Sequence, residues 1–148
     1  MIDIRLVRTN PELVKENIKK KFQDDKLILV DEVLDLDKRF REARTRCDEL
    51  RNQRNTISKQ IGQLYGQGKR DEAEAAKKQV ASINEELTAL EQDEETFEAE
   101  IRKRMMVIPQ IIDDSVPIGN DDSENVEIER FGDPVVPDYE IPYHVDIM

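Results

Sequence analysis

A cluster of basic side chains near the middle of the chain has the composition of a phosphate-binding surface. Residues 51–80 contain seven basic and three acidic residues, a net charge of +4. Guanidinium and ammonium groups bind phosphate oxygens through charge-assisted hydrogen bonds, and amides, hydroxyls and aromatic rings add hydrogen bonds and stacking. Any one of these residues alone is equally consistent with a solvated surface, so the cluster carries the prediction. The candidate binding residues are Arg51, Arg54, Asn55, Ser58, Lys59, Tyr65, Lys69, Arg70, Lys77 and Lys78.

Residues for catalysis or metal binding are not found in this sequence. It has no glycine-rich phosphate loop, no paired His or Cys ligands and no Ser/His/Asp set. His144 is interpreted as structural and Cys47 as a small buried hydrophobe. The acidic turn Asn120–Asn125 lacks the glycine and the spacing to a terminal bidentate glutamate that a calcium-binding EF-hand loop has. We therefore predict no catalytic residue, no metal site and no cofactor within these 148 residues.

The apolar pattern predicts two long helices that position the cluster. Residues 13–108 contain no proline, and apolar or small residues recur there at alternating intervals of three and four, the spacing of a coiled-coil seam. In the first helix the seam residues are Val33, Leu36, Phe40, Ala43, Cys47, Leu50, Arg54, Ile57, Ile61 and Leu64. In the second they are Ala73, Ala76, Val80, Ile83, Leu87, Leu90, Glu94, Phe97 and Ile101.

An antiparallel hairpin brings these two seams together without a slip. It sets Leu36 opposite Ile101, Phe40 opposite Phe97, Cys47 opposite Leu90, Leu50 opposite Leu87, Arg54 opposite Ile83, Ile57 opposite Val80 and Ile61 opposite Ala76. Arg54 is either a polar residue that fixes the register or a long side chain that reaches solvent, and we favour the second. Glu94, opposite Ala43, is expected to lie near enough to solvent to stay charged. Residues 51–80 form the far end of the hairpin, which we call the tip.

The ends of the two helices follow from glycine and proline. We expect the first helix to begin between Leu27 and Asp31 and to end near Tyr65. Gly66 and Gly68 are then suited to left-handed conformations that reverse the chain. The second helix, with Asp71 and Glu72 in its first turn, should run to about Val107, before Pro109.

The charges along the hairpin are unevenly distributed. The chain as a whole has a net charge of −11, which by itself disfavours a nucleic-acid partner. Screening limits each charge to about 8–10 Å, so local clusters matter more than the sum. Residues 81–100 contain eight acids and no base, and residues 38–46 contain five bases and one acid, so these segments can pair across the seam. We expect no such neutralising partner at the tip.

A shorter helix is predicted before the hairpin. Asn10 is a capping residue, Pro11 fits the first helical position, and an apolar face follows over Pro11–Phe22. This face should pack at the base of the hairpin against Leu27, Ile28, Leu29 and Val30, after an apolar-polar segment Ile2–Val7. The run Lys19–Lys21 is interpreted as a solvated helix end rather than a phosphate site.

From Pro109 onward the sequence predicts an extended, proline-containing tail. Residues 126–130 alternate like a strand, but no partner strand is recognisable. The predicted fold class is all-α, with a short N-terminal helix packed at the base of a long antiparallel two-helix coiled-coil hairpin. We predict a helical arm over residues 1–108 and a connector with the beginning of a larger domain over 109–148. No apolar run reaches the length of a membrane span, and no secretion signal is recognised, so we expect a cytoplasmic protein.

Three segments resemble seryl-tRNA synthetases. The connector residues Val116–Glu127, followed by Gly132-Asp133-Pro134, are similar to the family pattern V-P-x-G-x-D-E-x-D-N-x-E … G-x-P. Residues Arg54–Gly62 resemble the stretch R-N-x-x-S-K-x-I-G, and the N-terminus is also similar. The connector is the most specific of the three. Residues Ile108-Pro109 also resemble the start of a family I-P-N motif, in which Gln110 replaces the usual Asn, and Ser123 stands where an acid is common.

The resemblance implies a function for the chain. In that family a helical hairpin grips the long variable arm and elbow of serine tRNA, typically reaching across a homodimer. A class II catalytic domain, with ATP, serine and magnesium sites, would follow this segment and attach serine to the tRNA. The chain would then be the tRNA-binding arm of a serine–tRNA ligase, inactive alone, with no DNA or membrane partner.

Two other functions fit a helical hairpin. A chaperone or scaffold of the prefoldin kind would bind protein partners at an apolar tip, whereas this tip presents Gln63, Gln67, Lys69 and Arg70. Simple coiled-coil dimerisation would need a second apolar stripe outside the seam, and none is recognised.

Overall fold

The computed structural model describes residues 1–133 and 135–147, and within them the chain forms helices and no strand. The five α-helices are α1 (Ile4–Thr9), α2 (Pro11–Lys20), α3 (Leu27–Gly66), α4 (Arg70–Val107) and α5 (His144–Ile147). Short 3₁₀ helices occupy Asp24–Lys26 and Asp122–Glu124. The chain divides into two compact units, Met1–Val116 and Pro117–Met148. The first contains α1 to α4, so the predicted all-α hairpin with a short helical N-terminus is confirmed.

Helix α3 and helix α4 pack against each other along their length. With 40 residues, α3 extends for about 60 Å at 1.5 Å per residue. Cys47, Leu50 and Leu87 are buried together, with Ile83 and Leu90 against them, and this cluster confirms the predicted register in the middle of the seam. Leu36 and Phe40 likewise pack in the cluster that contains Ile101.

The reversal between α3 and α4 depends on a single glycine. Gly68 has a φ of +75°, which a residue with a side chain rarely adopts. The Lys69 N–H donates to the Leu64 carbonyl at 3.0 Å and the Gly68 N–H to the Tyr65 carbonyl at 3.1 Å, the paired bonds of a Schellman motif. The prediction for Gly68 is confirmed. The one for Gly66 was wrong, because one left-handed residue suffices and Gly66 remains helical.

Two polar predictions for the seam concern Cys47 and Glu94. Cys47 is fully buried; burial, and then the neighbouring Glu94 carboxylate, raise the pKa of its thiol to about 11. The interpretation of Cys47 as a buried hydrophobe is therefore confirmed. Glu94 is half-buried, and its Oε1 atom is enclosed without a hydrogen-bond partner among the described residues, so it is less open to solvent than expected.

The base of the hairpin holds the main apolar core. Its buried residues come from all four helices of the first unit and from the segments that flank them: Ile2, Val7, Val14, Ile18, Val30, Val33, Ile101, Met105 and Ile108. The predicted packing of the N-terminal helix against Leu27, Leu29 and Val30 is confirmed, but Ile28 is 58% exposed.

The N-terminal segment contains one helix more than predicted. Ile4–Thr9 is α1, begun by Asp3, whose carboxylate accepts from the Arg5 N–H at 2.8 Å. The predicted cap of α2 is confirmed, since the Leu13 N–H donates to Asn10 at 3.2 Å. This helix ends at Lys20, before the predicted Phe22, because Phe22 has a left-handed φ of 54° and cannot continue it.

Two buried polar residues, Asp37 and Asn17, connect different segments of the chain at the base of the hairpin. The carboxylate of Asp37 on α3 is 1% exposed and accepts from Nε of Arg8 on α1 at 2.8 Å and from Nε of Arg41 at 3.1 Å. Asn17 on α2 donates to the Gln110 carbonyl at 3.0 Å and accepts from the Ile112 N–H at 2.7 Å. The chain that leaves α4 is thereby tied back to α2.

The second unit has little regular structure. The predicted strand over residues 126–130 was wrong: this segment is irregular, and Ile128 is 96% exposed. A strand needs a neighbour for its backbone hydrogen bonds, and the described part of the chain offers none. Around the acidic turn, the Asn120 N–H donates to the Glu124 carboxylate at 2.7 Å. Among the helices described, none combines the length and the apolar composition that a membrane crossing requires.

Candidate nucleic-acid interface

The predicted binding residues all lie on the end of α3, in the reversal or on the start of α4. The structure describes all of residues 51–80, and Ala73 is the only seam residue of the tip that is fully buried. Side chains that leave the seam there are consequently open to solvent. The exposed members of the predicted set are Asn55, Ser58, Lys59, Tyr65, Lys69, Arg70, Lys77 and Lys78, whereas Arg51 and Arg54 are half-buried.

Arg51 differs from the other predicted cations because it joins the two helices. Its Nη1 atom lies 3.0 Å from the Asp48 carboxylate, and its Nη2 atom lies 2.8 Å from that of Glu91 on α4. The Glu91 and then the Asp48 hydrogen bonds raise the pKa of Arg51. Arg46 pairs in the same way with Glu86 at 2.9 Å, which confirms the predicted pairing of basic α3 with acidic α4. The structure thus places Arg51 among the cross-helix ion pairs.

Two tip lysines have partners that the sequence interpretation did not expect. Lys69, the residue before α4, lies 3.4 Å from Glu72, and Lys77 lies 3.0 Å from Glu74 within α4. Each pair spans three residues of the chain. The expectation of a tip without neutralising partners was therefore wrong at these two positions and at Arg51. Acids favoured in the first turns of a helix fall within reach of lysines one turn away. Exposed pairs of this kind contribute less than about 1 kcal/mol and can be exchanged for other partners.

Four tip cations form no ion pair within the described residues. They are Arg54, Lys59, Arg70 and Lys78. Half-buried Arg54 fits the interpretation of a long stem that packs over the seam and directs its guanidinium to solvent. These four charges are available for a ligand without breaking an existing contact.

The sequence did not predict a cluster of three side chains at the tip, which consists of Tyr65, Glu74 and Lys77. The Tyr65 hydroxyl on α3 donates to Oε1 of Glu74 on α4 at 2.6 Å, and the same oxygen accepts from Nζ of Lys77. Tyr65 and Lys77 were predicted binding residues, but Glu74 was counted only as an opposing charge. The register that sets Leu64 opposite Ala73 could have found it, because it places Tyr65 beside the first turns of α4.

The comparisons with known proteins agree over the whole chain. Residues 1–112 match the family model described as the seryl-tRNA synthetase N-terminal domain. The serine–tRNA ligase of Methanoculleus marisnigri is 38% identical over 144 residues, covering 97% of this chain and 33% of that protein. That of Pseudothermotoga lettingae is 38% identical over 147 residues, covering 99% and 34%. The chain thus spans about a third of the length of the curated relatives it matches.

Solved structures show the same relationship. The crystal structure of seryl-tRNA synthetase from Pyrococcus horikoshii complexed with ATP superposes with a TM-score of 0.77 at 36% identity, covering 86% of this chain and 28% of that one. The cytoplasmic serine–tRNA ligase from Naegleria fowleri in complex with AMP gives a TM-score of 0.71 at 23% identity, covering 100% and 40%, and shows the shared fold. On the family match over most of its length, the chain belongs to the seryl-tRNA synthetase N-terminal domain family.

Proposed function

We propose that this chain is the tRNA-binding part of a serine–tRNA ligase. In this proposal residues 1–108 form an arm that grips the long variable arm and elbow of serine tRNA. Residues 109–148 connect the arm to a catalytic domain, which would attach serine using ATP and Mg²⁺. The proposal draws support from the family match and from relatives that are serine–tRNA ligases about three times as long as this chain.

The tip charges are the observation that carries the binding proposal. Four cations there form no ion pair within the described residues, and two more pair only with exposed acids three residues away. In the acidic stretch of α4, by contrast, two acids form ion pairs with arginines of α3. Glu86 pairs with Arg46, and Glu91 pairs with Arg51. RNA helices are recognised mainly through their shape and phosphates, because their deep groove hides the base edges. A narrow lever about 60 Å long that ends in a cationic tip matches this mode of recognition.

The remaining parts of the proposal concern the parent protein. We propose that the chain acts within a cytoplasmic ligase that dimerises through its catalytic domain, as the family resemblance implies. The residues proposed to contact the tRNA are the ten named above, of which Arg54, Lys59, Arg70 and Lys78 have the strongest support. A protein-binding chaperone or scaffold is less well supported, since Gln63, Gln67 and the basic residues around the reversal are all exposed.

Titration of the chain with two RNAs tests this function. One is serine tRNA, and the other is the same tRNA with its variable arm deleted. Tight binding of the first and at least about ten-fold weaker binding of the second are expected, because the arm supplies several phosphate contacts. Equal binding of both RNAs, or no binding of either at low salt, would contradict the proposal.

A further inference from the structure

An acid at the tip joins the two helices of the hairpin. Tyr65 lies in the last turn of α3, and Glu74 lies one turn into α4. Oε1 of Glu74 accepts from the Tyr65 hydroxyl at 2.6 Å and from Nζ of Lys77 at 3.0 Å. Nζ of Lys77 also lies 5.0 Å from the centroid of the Tyr65 ring, within the range of a cation–π interaction. We call these three residues the clasp.

The clasp lies where the hairpin has few other contacts. Beyond Arg51, Tyr65–Glu74 is the only side-chain hydrogen bond between α3 and α4 in the part of the chain that the structure describes. The seam residues Ile57 and Ile61 are only half-buried there. The relative position of the two helix ends therefore depends on the clasp more than it would in the middle of the hairpin.

The charges of the clasp support each other. The Tyr65 hydroxyl, and next Lys77, lower the pKa of the Glu74 carboxyl. The Tyr65 hydroxyl, and next Glu74, raise the pKa of Lys77. Glu74 is thus an ionised acceptor and Lys77 a charged donor at neutral pH. Tyr65 remains 40% exposed, so its ring is accessible to a ligand.

We infer that Glu74 is a positioning residue for RNA binding. It holds the Tyr65 ring and the Lys77 ammonium together across the two helices, so that both meet the RNA as one preformed surface. A preformed surface binds more tightly because less side-chain freedom is lost on association. The inference rests on the proposed function. It predicts that removal of Glu74 weakens RNA binding. Simple electrostatics predicts the opposite, because an acid near phosphates repels them and its removal should strengthen binding.

Serine tRNA binding by five variants tests this role, with Glu72→Ala as the matched control. Glu72 is also a tip carboxylate paired with a lysine, but that lysine, Lys69, is only three residues away and the pair does not join α3 to α4. Glu74→Ala and Tyr65→Phe are each expected to weaken binding about five-fold, the loss of one charge-assisted hydrogen bond at an exposed site. The double variant should bind no more weakly than either single variant. Glu74→Gln, whose amide oxygen still accepts from Tyr65, should stay within about two-fold, and Glu72→Ala should bind equally or more tightly.

The outcomes separate this inference from the function on which it rests. If the unaltered chain binds RNA but Glu74→Ala behaves like Glu72→Ala, or Tyr65→Phe binds normally, the inference is overturned and the proposed function stands. If the unaltered chain binds no RNA, both fall. An NMR titration gives a second readout: Tyr65→Phe should raise the pKa of the Glu74 carboxyl towards its ordinary value at unchanged helix content. An unchanged pKa would show that the clasp does not form in solution and would overturn the inference.

Discussion

The base and the tip of the hairpin use their charged residues differently. At the base, Arg8 and Arg41 donate to a carboxylate that is almost completely buried, and Arg104 pairs with Glu32 at 2.6 Å and also with Glu100. The base also holds the apolar core built from four helices. At the tip, the ion pairs distal to Arg51 join residues only three apart and are exposed, and the seam residues other than Ala73 are only half-buried.

This difference indicates that charged residues at the base contribute mainly to stability and those at the tip mainly to binding. A buried carboxylate with two arginine donors is costly to disrupt, because each hydrogen bond to a charged group contributes about 1.5–3 kcal/mol. An exposed pair on one helix costs little to exchange for a phosphate oxygen. The base should therefore determine whether the chain folds, and the tip should determine what it binds. The substitutions below test this separation, from the largest expected effect to the smallest.

Replacement of Asp37 should cause the largest loss of stability. Asp37→Ala removes the shared acceptor of Arg8 and Arg41, and we expect the free energy of unfolding to fall by about 3–5 kcal/mol, because its hydrogen bonds with two charged groups are lost. Urea denaturation followed by circular dichroism measures this change. Asp35→Ala is the control, since Asp35 is exposed and pairs with Arg39 on the same helix, and it should cost less than about 1 kcal/mol. Equal losses for both variants would show that the buried network adds nothing.

Truncations along the seam should become less costly towards the tip. Leu50 is 1% exposed, and Leu50→Ala should lower the free energy of unfolding by about 2–4 kcal/mol. Ile57 is half-buried, so Ile57→Ala should cost about half as much, because fewer of its contacts are lost. The same urea denaturation compares the two. A larger loss for Ile57 than for Leu50 would contradict a tip that is more weakly packed than the shaft.

Charge reversal at the tip should affect binding and leave stability almost unchanged. Lys69→Glu with Arg70→Glu is expected to weaken serine tRNA binding by about ten-fold or more and to reduce the salt dependence by about two phosphate contacts. Unfolding should shift by less than about 1 kcal/mol, because both residues are exposed. The control, Lys38→Glu with Arg39→Glu, makes the same change of charge on exposed shaft residues. If the two pairs weaken binding equally, the effect is one of total charge and the tip has no special role.

The sequence predicts the hairpin well because its seam pattern repeats for nearly seventy residues in a fixed register. It does not reveal α1, a helix of six residues that is too short for a periodic signal and is held by the burial of Val7. Without α1, Asp37 looks like an ordinary surface acid beside the seam. Its partner Arg8 is 29 residues away, and only the folded base brings the two together.

At the tip the sequence identifies a basic cluster but not the pairing of its members. Arg51 looks similar to Lys59 in the sequence, yet it is held by Glu91, 40 residues away. Glu74 counts against phosphate binding in any sum of charges, and its contact with Tyr65 depends on how the chain reverses at Gly68. The pairing follows from side-chain geometry, which the spacing of residue types does not encode.

Hydrogen exchange in the presence of serine tRNA tests the central claim most directly. Amide exchange is measured by mass spectrometry with and without the RNA, and peptides from residues 51–80 are compared with peptides from α1, α2 and the base ends of α3 and α4. Binding at the tip predicts slower exchange in residues 51–80 and no change at the base. Protection confined to the base, with an unaltered tip, would contradict it.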